Sequence, residues 1–188
     1  MDATQDWIEA YKELCTLIKA KVTEVKYTDL WYQQIDFEQK EYPFPRHSVF
    51  FEFFCDRTET IGGGAQDMYT SISVYHVFYT YSDTFDEATN QATAFEFGDV
   101  IRKINNSLQG TEGVNFSSLN RTGFKRYPAD SYLVCYCQTY NTIIRDYSGV
   151  KSYDTSKSLN DIPVNVQVQN QPTEPTGDSR NIGYTIEV

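Results

Sequence analysis

TSISVYHVFYTY, residues 70–81, is the stretch on which the rest of the chain turns. Ile72, Val74, His76 and Phe78 alternate with Ser73, Tyr75, Val77 and Tyr79. Both sets are largely apolar or aromatic, so both faces of the predicted strand are covered. After a polar turn, Ser82–Asp86, a helix is predicted over Glu87–Leu108. There Ala88, Ala92, Phe95, Val100, Ile104 and Leu108 follow the three-and-four spacing of one face. Gly110 stands where a left-handed cap ends such a helix. Strand, turn and helix over Met68–Gly110 make a β–α unit whose helix folds back over its own sheet. No catalytic motif lies within it.

Working outward, Pro43-Phe44-Pro45 sets an extended entry into a second strand, Ser48–Cys55 (SVFFEFFC), with Glu52 its one charge. Asp56–Asp67 joins the two strands and contains Gly62-Gly63-Gly64; at about a dozen residues it exceeds the usual hairpin loop and is expected to project. Upstream, Asp6 caps a predicted helix over Trp7–Val25, with Trp7, Tyr11, Leu14, Ile18, Val22 and Val25 on one stripe. Tyr27–Tyr42 has mixed periodicity and reads as extended segments and a loop. Downstream, Leu119–Tyr127 is a short strand and Ser131–Arg145 a long aromatic one. These elements describe an α+β fold, an antiparallel β-sheet sandwich with amphipathic helices packed on one side, over residues 1–146. From Asp146 the composition turns polar, and residues 147–188 form an extended C-terminal arm. Its alternating patches, Val164–Val168 and Tyr184–Val188, suit strand addition to a neighbour's sheet edge, with Val164, Val166 and Val168 on one face.

Composition narrows the function. The 188 residues suit one domain plus an appendage. The net charge of −10 argues against a nucleic-acid reader, which needs a basic footprint. Aromatic residues reach 15%, and rings of this kind serve strands and interfaces. No apolar run is long enough for a membrane helix, and the start lacks the pattern of a signal peptide. Four scattered cysteines fit a reduced compartment rather than a disulfide scaffold.

The residues that invite chemistry each have a plainer role. Gly62-Gly63-Gly64 is followed by Ala65-Gln66-Asp67, not by the Lys-Ser/Thr of a phosphate loop, and reads as a flexible loop tip. Cys135 and Cys137 share a strand face but have no second ligand pair, so no metal or cofactor is expected. His76 reads as a hydrogen-bonded core histidine; Cys55 or Cys135 with His76 is the formal nucleophilic alternative. Glu96 is expected to pair with Arg102 or Lys103, or to be solvated. Arg121, Lys125 and Arg126 form a basic cluster that protects an edge strand or contacts an acidic partner.

The order of LWYQQ, PFPRHSVFFEF, SISVYHVFYTY, ATAFEFGDVIRKINNSL and NRTGFKRYPADSYLVCYCQTY after an N-terminal helix resembles the tail terminator or tail completion proteins of tailed bacteriophages. The likeness is greatest to versions in phages and prophages of Bacteroidetes-type hosts, and covers about Trp7–Ile144. It implies a non-enzymatic virion protein, assembled in the host cytoplasm, that forms a homo-oligomeric ring, commonly a hexamer. Such a ring caps the tail tube, ends its polymerisation and meets the head connector, with DNA passing through the bore without specific binding. It implies no catalytic residues and no cofactor. The Gly62–Gly64 loop would face tube or bore, and the arm would lie on a neighbour. A neck or head-completion protein is the neighbouring alternative. A small-ligand-binding α+β domain or a Cys/His hydrolase is the alternative from another class.

Overall fold

The computed structural model of the protein describes residues 7–36, 44–79, 84–129 and 133–150. Trp7–Lys21 form α1, Tyr27–Leu30 β1, His47–Gly62 β2, Ala65–Tyr79 β3, Gln91–Ala94 α2, Glu96–Leu108 α3, Asn120–Tyr127 β4 and Leu133–Asp146 β5. The strands make one five-stranded sheet in the order β1-β2-β3-β5-β4. All neighbours are antiparallel except β1 and β2, so the sheet is mixed and the class is α+β. The layering is helices against this single sheet rather than sheet against sheet.

Alternation along β3 assigns the two faces. Ile72 and Val74 join Val49 and Phe51 of β2, and Tyr140 and Ile144 of β5, in one buried cluster. Onto that face α1 lays Ala10, Leu14 and Ile18, and α3 lays Val100, Ile104 and Leu108. Burying a Val, Leu or Ile side chain stabilises by roughly 1.5–3 kcal/mol. Tyr75 and Val77 turn the other way, with Phe50, Cys135 and Cys137, and are covered by Trp31, Ile35 and Phe44. The expectation that both faces of this strand are covered therefore holds, with helices on one side and coil on the other.

Three boundaries differ from the sequence reading. The helix predicted from Glu87 starts at Gln91 and is interrupted at Phe95, between α2 and α3. Glu87 itself has a φ of 66°, outside helical geometry. Helix α1 ends at Lys21, although Val22 and Val25 remain buried in the same cluster. The supposed long loop Asp56–Asp67 is mostly strand: β2 runs on to Gly62 and β3 starts at Ala65, leaving a two-residue turn. Cross-strand partners explain this. The Arg57 guanidinium lies 4.0 Å from the Tyr69 ring centre, and the Tyr69 hydroxyl donates to Glu59 at 3.0 Å. Gly110, by contrast, has the left-handed φ of 72° expected of it.

A buried polar network ties α3 to the sheet. Gln138 Nε2 donates to the Ile101 carbonyl at 3.1 Å, while its Oε1 accepts from the Tyr140 hydroxyl at 3.0 Å and from Arg121 Nη1 at 3.3 Å. Glu13 on α1 holds the following loop by accepting from the Val114 and Asn115 backbone amides at 2.9 and 3.1 Å.

Candidate functional site

The sheet ends on two strands that differ in kind. β1 is four residues long and covers only Ser48–Phe51 of β2. Its track stops where the Trp31 amide donates to the Phe51 carbonyl at 2.8 Å, after which Gln33 takes a φ of 60° and the chain turns off. Among the described residues nothing pairs with the outer side of β2 from Glu52 onward. An unpaired run of backbone donors and acceptors is a template for another strand. Beside it opens a groove of about 360 Å³ lined by Trp7, Trp31, Tyr32, Phe53, Cys55 and Met68. Trp7 in the groove is 40% exposed, and Phe54 on the opposite face of the same edge is 65% exposed, high for rings of this size. The edge carries Glu52, Asp56, Arg57 and Glu59, three acids and one base.

A register shift at Asp56 marks a bulge. Before it Phe53 and Cys55 share the helix face with Ile72 and Thr70; after it Arg57 and Glu59 stand level with Tyr69 and Asp67 on the opposite face. The extra residue thus carries charge across the sheet without ending the strand.

The other boundary is β4, whose outer side is unpaired among the described residues. Its sequence, NRTGFKRY, holds three cations and no acid. Arg121, Lys125 and Arg126 are all exposed, but a shift at Thr122 and strand alternation split them. Arg126 stands level with Tyr136 on the helix face and Lys125 level with Cys137 on the other. Between them Phe124 stacks on Tyr136 at 5.3 Å yet stays 52% exposed.

Gly62-Gly63-Gly64 forms the β2–β3 turn, with φ values of 114°, 61° and 90°. Positive φ at both central positions is what a tight turn with the twist of flanking strands requires. The structure therefore corrects the flexible tip to a built one: a side chain on Gly64 would collide with the Gly149 carbonyl oxygen. Val164, Val166 and Val168 lie outside the described residues.

His76 is buried as expected, and its partner is one the sequence reading missed. His47 Nδ1 and His76 Nε2 are 3.1 Å apart, beneath the start of α3. His47 opens β2 and His76 lies near the end of β3, and they meet because the register sets Val49 opposite His76 and His47 opposite Phe78, which no local pattern signals. Burial, and secondarily the neighbouring imidazole, push His76 down to about 3. Burial also lowers His47, against the raising influence of Glu96. His76 Nδ1 has no hydrogen-bond partner among the described residues. A bare lone pair is cheaper to bury than a bare N–H, which favours His76 Nε2 as the donor.

The nucleophilic pairing is not assembled. Cys135 stands level with Val77, on the face opposite His76, and Cys55 stands level with Thr70, far along the strand. Burial pushes the Cys135 and Cys137 thiols up, away from thiolate. Glu96 pairs not with its helix neighbours but with Arg46 at 3.0 Å. Arg102 takes Asp99 at 2.6 Å, and Lys103 takes Glu24. Glu52 accepts from the Tyr75 hydroxyl at 2.7 Å. Among the described residues no group of three His, Cys, Asp or Glu is placed to hold a metal ion, and no helix is long and apolar enough to cross a membrane. No protein-family model matches this chain, and no curated protein matches it.

Proposed function

We propose that the chain is a structural protein of a bacteriophage tail, a terminator that forms a ring on the last ring of the tube and stops its growth. The observation that carries this is the open sheet with two unlike edges unpaired among the described residues, one acidic and grooved, the other basic. Unlike edges on one subunit favour head-to-tail association, and such contacts close into rings when the rotation allows. The order of helix, strands, helix and strands is the order on which the resemblance rests. The net charge of −10 suits a bore through which DNA slides without sticking. The action would be geometric: one ring face matches the tube, and the other accepts no further tube subunit.

The test is the mass of the purified protein in solution, with negative-stain images of the same sample, followed by mixing with tail tube protein. Closed rings that sit on tube ends and arrest their lengthening are the expected result. Tubes that lengthen unchanged, without the protein at their ends, would overturn the proposal.

A further inference from the structure

We infer that β4 of one copy pairs with the free edge of β2 in the next, extending one sheet through the assembly; this rests on the ring-forming function proposed above.

Strand direction comes first. β2 and β3, β3 and β5, and β5 and β4 are each antiparallel, so β4 runs opposite to β2. Subunits placed side by side with the same face inward therefore bring β4 against the next β2 in antiparallel fashion, the pairing whose hydrogen bonds run straight across between the strands. Length comes next. β4 has eight residues, and the uncovered part of β2 starts at Glu52, just past the end of β1. Laid antiparallel, Asn120–Tyr127 spans Glu52–Glu59 without meeting β1.

Side chains fit this register. Phe124 comes level with Cys55, both on the helix face, so the exposed ring enters the groove beside Phe53 and Trp7. Lys125, on the other face, falls diagonally between Glu52 and Asp56, within reach of a long side chain. Of the β4 cations Lys125 shares its face with the β2 acids, while Arg121 and Arg126 stand on the helix face; the two edges still carry opposite net charge, three cations against three acids and one base. The same charges set each edge against its own kind: β4 repels β4, and the β2 edge repels another β2 edge. A two-fold pairing of like edges is thus disfavoured, and only the head-to-tail contact is attractive. Because β1 shields the first rungs of β2, the neighbour sits displaced toward the hairpin turn, and a sheet closing on itself needs such a stagger.

The experiment uses the full chain. Thr122→Cys on β4 is treated with a short bis-maleimide that can reach native Cys55 of a neighbour, with Cys55→Ser as control, while the mass of wild-type protein is followed in parallel. A ladder of linked copies, lost in the control, is expected. In a second arm Lys125→Glu/Arg126→Glu makes both edges acidic, and Asp56→Lys/Glu59→Lys makes both basic. Each should remain folded by circular dichroism and fail to assemble, and their 1:1 mixture should assemble again. Rings in the wild type without a ladder or rescue would overturn the edge pairing and leave the ring function standing. Monomers throughout, without a ladder even when tail tube protein is present, and tubes that lengthen unchanged would overturn both.

Discussion

His76 is wholly buried, and among the described residues its ring nitrogens meet one polar partner, another imidazole. The folded value of about 3 lies below the ordinary one near 6.5, so the unfolded chain takes up the proton first as acidity rises. Stability from this group is therefore complete above pH ~6.5 and is lost as pH falls toward ~3, by up to about 1.4 kcal/mol per pH unit. His47 adds in the same direction, while Glu96 and Glu24 oppose and Arg46 reinforces it. Urea midpoints measured from pH 7.5 to 5 should fall steadily, and His76→Phe should flatten that slope whatever it does to stability at neutral pH. An equal slope in the variant would show that other groups carry the acid sensitivity. The sequence indicates that His76 belongs in the core, since Val74 and Phe78 flank it. It does not show that His47 is the partner, because that depends on a register set at the hairpin turn, at the far ends of both strands.

At the scale of elements, the β2–β3 hairpin shows why some features were legible and others were not. The apolar run SVFFEFFC and the alternation of β3 announce strands. The polar Asp56–Asp67 segment lacks that signal, because its pairing rests on Arg57, Tyr69 and Glu59 across the ribbon rather than on burial. The three glycines promise permissive backbone, yet only a tertiary contact distinguishes them. Gly63 has open space around it, whereas Gly64 lies against the Gly149 backbone. Gly63→Asn, a residue that accepts positive φ, should change stability by less than about 0.5 kcal/mol. Gly64→Ala should cost about 1–3 kcal/mol, because a fixed backbone oxygen leaves its Cβ nowhere to go. Denaturant midpoints for the two variants separate these cases, and equal midpoints would mean that the turn yields. The split of α2 from α3 was equally hidden: Phe95 fits the helical stripe by spacing, but stands 48% exposed.

Across the whole molecule, class and strand positions followed from hydrophobic period, while strand order did not. β4 lies at an edge beside β5 and β1 at the opposite edge, although neither position can be read from a single strand's pattern. The basic cluster in Leu119–Tyr127 was visible as composition; its opposition to an acidic edge across four strands was not. β1 has a further consequence. The segment it covers, Ser48–Phe51, begins the run SVFFEFF, in which one acid interrupts six apolar or small residues. Runs of this kind, rich in β-formers and poor in charge, seed cross-β stacking when their edge is bare. β1 is thus a guard against fibril formation, and a slender one, four residues joined to the sheet by a single parallel ladder. Asp29→Pro, which removes the ladder donor in the middle of that guard, should leave the helix face packed but raise thioflavin-positive aggregation on mild warming. Clear solutions under those conditions would place the protection elsewhere. The strand that limits where a neighbour can dock is, in the isolated subunit, what keeps the protein from polymerising the wrong way.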